Sequence, residues 1–155
     1  MGIIIKDMET MMSEIRQLIS EGKTVTIAAK GYSMNPFIVH LRDKITLGPC
    51  NDDQIRKGAV VLARDSRGKF VIHRIIKREG DIITLRGDGN YLRTIEKARV
   101  SDVIALMYSV TKKRRTYSMQ SLRWRLYSCF WKMLTPVRRY PLALWRRLHP
   151  QQPLR

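Results

Sequence analysis

The chain has only two cysteines, Cys50 and Cys129, far apart and with no CxxC or Cys/His spacing that would prepare a tetrahedral metal site. No metal and no cofactor is therefore expected, and whether the two thiols pair is left open. The chain also lacks any run near the roughly 18 uncharged apolar residues of a membrane span. Its opening, "MGIIIKDMETMM", is shorter than an export signal's apolar region plus cleavage site. These absences predict no signal peptide and no transmembrane segment, and so a chain in the cytoplasm or at the periphery of a membrane. Acids are missing from the end of the chain: residues 1–111 carry 18 Lys/Arg and all 13 Asp/Glu, whereas residues 112–155 carry 12 Lys/Arg and none. Most of the formal charge of +17 is thus a property of the tail and need not describe the partner of the body.

A length of 155 residues suits one domain with its own core plus an appendage. Apolar residues Met8, Met11, Met12, Ile15, Leu18 and Ile19 recur at steps of three and four, with Gly22 behind them, and predict an amphipathic helix over 7–21. Short β-branched runs follow ("TVTIAA", "KITL", "AVVLA", "KFVIHRII", "DIITL", "DVIALMYSV"), separated by Gly, Asp, Asn and Pro clusters. They predict a mostly β, antiparallel body in which residues 58–90 form three hairpin-joined strands. A like-charge run, "KKRRTYS", marks the expected boundary between a domain over 1–111 and a tail over 112–155.

Three short boxes carry the candidate chemistry. "GYSMNP" places Ser33 between a glycine-aromatic pair and a Met-x-Pro. "VIHRII" interleaves His73 with apolar neighbours on a strand, and a neutral imidazole accepts a serine proton. "LRGDGN" adds Asp88 in a glycine-flanked turn. Taken singly, each has a plainer role: a loop serine, a core histidine, a turn-forming aspartate.

The order of the three boxes resembles the signal peptidase I family of serine peptidases, and within it the Ser-His branch. The resemblance spans roughly residues 26–107. It implies a coiled antiparallel catalytic fold of the signal peptidase/LexA-like kind, with Ser33 as nucleophile, His73 as general base and Asp88 orienting the imidazole. It further implies an oxyanion site at the Ser33 N–H, a substrate cleft shaped by Met34, Pro36 and Phe37, and a peptide or precursor-protein substrate with small residues near the cut. The chain departs from the family pattern in three ways. "YLRTIE" has Arg93 and Thr94 where an acid is expected beyond the Gly-Asp-Asn box, Gly58-Ala59 stands where Gly-Asp is usual, and no anchor is evident. Asp43, in "LRDKITL", reads as turn chemistry, and His40 and His149 have no matching box.

All three tryptophans, Trp124, Trp131 and Trp145, fall in the tail among arginines. In "SLRWRLYSCFWKML", Leu122, Leu126, Phe130 and Leu134 lie four apart, Tyr127 and Trp131 widen the face, and Pro136 ends the helix; "PLALWRRLH" forms a second. Two such helices suit the surface of an anionic membrane. Packing on the body or dimerisation ranks behind this, and nucleic-acid binding after that. The resulting expectation is a serine endopeptidase cleaving leader or precursor peptides. Its alternatives are a catalytically degenerate peptide-binding or regulatory module and a LexA-like self-cleaving regulator.

Overall fold

The computed structural model describes residues 7–90 and 94–150. Helix α1, Met8–Ser20, starts where the Asp7 carboxylate accepts the Thr10 N–H at 2.9 Å and ends before Gly22, whose φ of 78° a side chain would oppose. Its buried stripe, Met12, Ile15 and Ile19, has the spacing read from the sequence.

Eight strands follow: β1 Val25–Ala28, β2 Asp43–Gly48, β3 Val60–Arg64, β4 Phe70–Glu79, β5 Ile82–Arg86, β6 Glu96–Arg99, β7 Val103–Lys112 and β8 Arg115–Ser118. All pairings are antiparallel and run β1-β2-β7-β3-β4-β5-β6, an open path with β1 and β6 at its ends. The β3-β4-β5 meander is the one that the turn signals predict. On β7, β2 occupies one edge while β3 (at 103–106) and β8 (at 109–112) share the other. The strands β6, "EKAR", and β8, "RTYS", carry too few apolar residues to be read from pattern. Because β8 pairs with β7, the sheet continues past residue 111 into the charged run that opens the tail.

The apolar run of β3 is buried on both faces, which explains its lack of alternation. Val60 and Leu62 join a core under α1 with Ile45, Leu47, Met107 and Val110; Val61 and Ala63 join a second with Ile75, Ile83, Leu85 and Ala98.

The tail forms α2, Leu122–Met133, capped by Ser121, and α3, Arg139–Leu148, with Pro136 between them. Trp124, Ser128 and Trp131, at steps of four and three, turn inward and are buried, and Trp124 belongs to the first core. Burying an aromatic of 150–250 Å² is worth about 4–6 kcal/mol as an upper bound, so the two tryptophans favour docking of the tail on the body. Leu142 of α3 is also buried.

Candidate active site

Ser33 sits in a loop, 29–43, whose base is closed by Ala29 N–H to the Asp43 carbonyl (2.9 Å) and Leu41 N–H to the Ala29 carbonyl (2.7 Å). Inside it, the fully buried Asp43 carboxylate accepts the Val39 N–H at 2.9 Å and the Arg42 guanidinium at 2.6 and 2.9 Å. His40 Nδ1 accepts the Gly31 N–H at 2.9 Å, and its ring lies against Tyr32. Asp43 and His40 thus shape the turn that presents the serine, the role the sequence assigns to Asp43.

The Gly-Asp-Gly-Asn box, 87–90, lies directly against that turn. Gly89 N–H donates to the Ser33 carbonyl at 2.7 Å. A Cβ on Gly87 would lie 2.9 Å from both the carbonyl carbon and the Cβ of Ser33, and one on Gly89 would lie 2.7 Å from the Tyr32 carbonyl oxygen. Both glycines are required for close backbone approach, and the box is the platform on which the serine turn rests.

Strand β4 sends His73 and Arg74 to opposite sides. His73 is buried, and its Nδ1 lies 2.9 Å from Oε2 of Glu96, at the start of β6. A carboxylate accepts only, so Nδ1 carries the proton, and in a neutral imidazole Nε2 is then the acceptor. The assignment of Asp88 as the orienter of His73 is corrected by this geometry. Asp88 Oδ1 and Oδ2 take Arg74 Nε and NH2 at 2.8 and 2.6 Å, with the Tyr127 hydroxyl at 3.3 Å, and the ion pair is almost fully buried. Burial opposes the Arg74 charge, but hydrogen bonding and attraction to Asp88 outweigh it and raise its pKa. The same guanidinium also donates from NH1 to the Gly58 carbonyl and Ser128 Oγ, both at 3.0 Å. A carboxylate so occupied cannot also hold an imidazole on the other face of the strand.

The family pattern places the acid at positions 93 and 94, whereas the carboxylate that meets His73 is that of Glu96. It is the last residue of "YLRTIE", and the signal that could have found it is its place at the head of a strand pairing with β5, Leu85 opposite Glu96, one strand removed from His73. Arg93 lies outside the described residues, and Thr94 is exposed.

Ser33 and His73 both line a cleft of about 410 Å³. Its walls come from Met8, Met11 and Met12 of α1, from residues 27–31 at the end of edge strand β1, and from Met34, Ile38 and Phe70–Ile72. Of the residues expected at the substrate, Met34 lines this cleft; Pro36 and Phe37 do not. Phe37 turns instead to the tail, packing on Trp124 and Tyr127 with ring centroids 4.4 and 4.5 Å away and with Lys112 Nζ 3.7 Å over its ring. The pull is aromatic: Trp124 meets Phe37 edge-on and Tyr127 stacks on it. Among the described residues, no group of three or more His, Cys, Asp or Glu is placed to hold a metal ion. Cys50 and Cys129 are both free thiols.

The tail grips the back of the box. Trp131 Nε1 donates to the Asp88 carbonyl at 2.9 Å, Arg138 NH2 to the Asn90 carbonyl at 2.6 Å, and Arg146 NH2 to the Gly89 carbonyl at 3.0 Å. The faces of α2 and α3 that point away from the body remain apolar: Leu122, Leu126, Phe130 and Met133 on one, Tyr140, Leu144 and Leu148 on the other, all 60–74 % exposed. The stripe expected from sequence is therefore divided, with Tyr127 and Trp131 facing inward, Leu122, Leu126 and Phe130 outward and Leu134 half-buried. Among the described residues, no helix is long and apolar enough to cross a membrane. No protein-family model matches this chain, and no curated protein matches it in sequence.

Proposed function

We propose that the chain is a serine endopeptidase of the signal peptidase/LexA-like fold, acting on leader or precursor peptides. The observation that carries this reading is that Ser33 and His73 line one apolar cleft while Glu96 holds the far nitrogen of the imidazole. In the proposed reaction His73 Nε2 takes the Ser33 hydroxyl proton as Oγ adds to the peptide carbonyl, and Glu96 stabilises the imidazolium. The oxyanion is received by backbone N–H donors at the Ser33 turn, which Gly87 and Gly89 hold in place. His73 then returns the proton to the leaving amine, and water attacks the acyl-serine by the same route in reverse. The end of edge strand β1 at the cleft suits an extended substrate that pairs with it, and the apolar walls suit small uncharged side chains at the cut.

The proposal includes peripheral attachment to an anionic membrane. Two outward apolar helix faces, in a tail with 12 Lys/Arg and no acid, are the features that support it. A serine-directed fluorophosphonate tests the catalytic part: adduct mass on Ser33 in the wild type and none in His73→Ala is the expected result. Equal labelling of both, or of neither while the fold is intact, would refute it.

A further inference from the structure

A second cavity, of about 290 Å³, lies between the body and the tail, away from the Ser33 cleft. Its walls include five cationic side chains, Lys57, Arg74, Arg86, Lys132 and Arg138, and one acid, Asp88. Asp88 is already spent, since both its oxygens are held by Arg74. Arg86 and Arg138 therefore feel the Asp88 charge without a carboxylate hydrogen bond of their own among the described residues that line the cavity. The Nε donors of both are buried and have no hydrogen-bond partner among the described residues, and Arg138 as a whole is only 4 % exposed. Burial lowers the pKa of each, the neighbouring Arg86 lowers that of Arg138 further, and the Asp88 charge offsets this only in part. A buried donor left unmet is costly, and one on each of two arginines lining the same cavity points to a ligand that meets them both.

We propose that this cavity binds a phosphate-type oxyanion, held by the guanidinium forks of Arg86 and Arg138 with Lys57 and Lys132 at its mouth. The chemistry selects the ligand class. A planar carboxylate has two oxygens and satisfies one fork, whereas a tetrahedral dianion can accept from both forks and still face an ammonium. A dianion also answers the cavity's excess of positive charge better than a monoanion does. The source is either free phosphate or the phosphomonoester headgroup of a lipid, since the cavity borders the tail helices whose outer faces are apolar. Occupancy has a consequence for the cleft. Arg138 lines the cavity and also donates from NH2 to the Asn90 carbonyl, so a bound oxyanion fixes a side chain that grips the box beneath Ser33.

The test is calorimetric titration of the full chain with sodium phosphate against sodium chloride at matched ionic strength. One-to-one binding is expected for phosphate alone, weakened at least tenfold by Arg86→Gln and severalfold by Lys57→Gln. The exposed tail variant Arg123→Gln controls for diffuse attraction and should bind as wild type. Circular dichroism checks each fold, and Lys57, being exposed, keeps the test open if Arg86→Gln unfolds. Flotation with phosphatidic acid, phosphatidylglycerol or phosphatidylcholine vesicles separates the sources. Selective loss of phosphatidic-acid binding in Arg86→Gln, reversed in the wild type by competing phosphate, assigns the site to a lipid headgroup. Vesicle binding indifferent to Arg86→Gln, beside impaired phosphate binding, assigns it to the free ion. No saturable phosphate binding, or equal weakening by Arg86→Gln and Arg123→Gln, would overturn the proposal.

Discussion

Two acids compete for the third place in the proposed triad, and the structure gives them opposite expected consequences on mutation. Glu96 touches His73 Nδ1 at 2.9 Å and is partly exposed, with 15 % of its side chain accessible. Glu96→Gln keeps the size but presents either an amide N–H or a neutral oxygen to the ring. The N–H option favours the tautomer with its proton on Nε2, which cannot accept from Ser33. General-base catalysis contributes about 10²–10⁴-fold, so the expected fall in kcat is of that order, or about 3–5 kcal/mol of transition-state stabilisation. Stability should change little, because the imidazole keeps a polar neighbour. Asp88→Asn is expected to act the other way round. It removes one side of a bidentate pair buried to 4 % and 3 % accessibility, and leaves Arg74 uncompensated at a cost of about 3–5 kcal/mol. At about 2–4 °C per kcal/mol for a chain of this length, the melting temperature should fall by about 6–20 °C. The assay pairs peptide-cleavage kinetics with thermal unfolding for both variants, and His73→Ala serves as the zero of the kinetic scale. A Glu96→Gln enzyme within threefold of wild type, or an Asp88→Asn chain with unchanged melting but abolished kcat, would refute the assignment.

The platform role of the box predicts that Gly87→Ala, whose new methyl meets Ser33 backbone rather than a movable side chain, loses activity and stability together; cleavage rate and thermal unfolding check it. Trp131→Phe keeps the ring but leaves the buried Asp88 carbonyl without its donor, an expected loss of about 1–3 kcal/mol in urea titration. Alkaline pH should weaken the tail's docking. Burial, and next the Asp88 charge, raise the Tyr127 phenol above its ordinary pKa of 10.0. The folded state therefore holds this proton more tightly than the unfolded state does. That contribution is complete below about pH 10 and is lost as pH rises above it, so unfolding should steepen there and Tyr127→Phe should flatten the slope. For the membrane, Leu126→Gln/Phe130→Gln on the outer face of α2 should reduce flotation with anionic liposomes without changing cleavage of a soluble peptide.

Much of the fold was legible because its signals are local. The three-and-four spacing in α1, the turn clusters around the β3-β4-β5 meander and the proline after α2 each specify an element by short-range rules. β6 and β8 escaped because polar edge strands have no apolar alternation to read, and with β6 went Glu96, whose partner lies 23 residues away in the chain. The same limitation misplaced Asp88. A glycine-flanked aspartate after a strand identifies a turn, but only the three-dimensional structure shows that its carboxylate faces Arg74 and its neighbouring glycines face Ser33. Phe37 and the tail share one cause: an aromatic beside an apolar cleft and an aromatic helix beside basic residues each had two apolar surfaces to choose between. The cluster of Phe37, Trp124 and Tyr127 decided both at once.

The most direct test of the central claim is cleavage of a pooled peptide library by the full chain and by Ser33→Ala, with anionic liposomes present and products read by mass spectrometry. Cuts at small residues in extended segments, made by the wild type and absent from the folded Ser33→Ala chain, are the expected result. Identical silence from both folded proteins, or cuts that survive the loss of Ser33, would contradict a serine peptidase at this cleft.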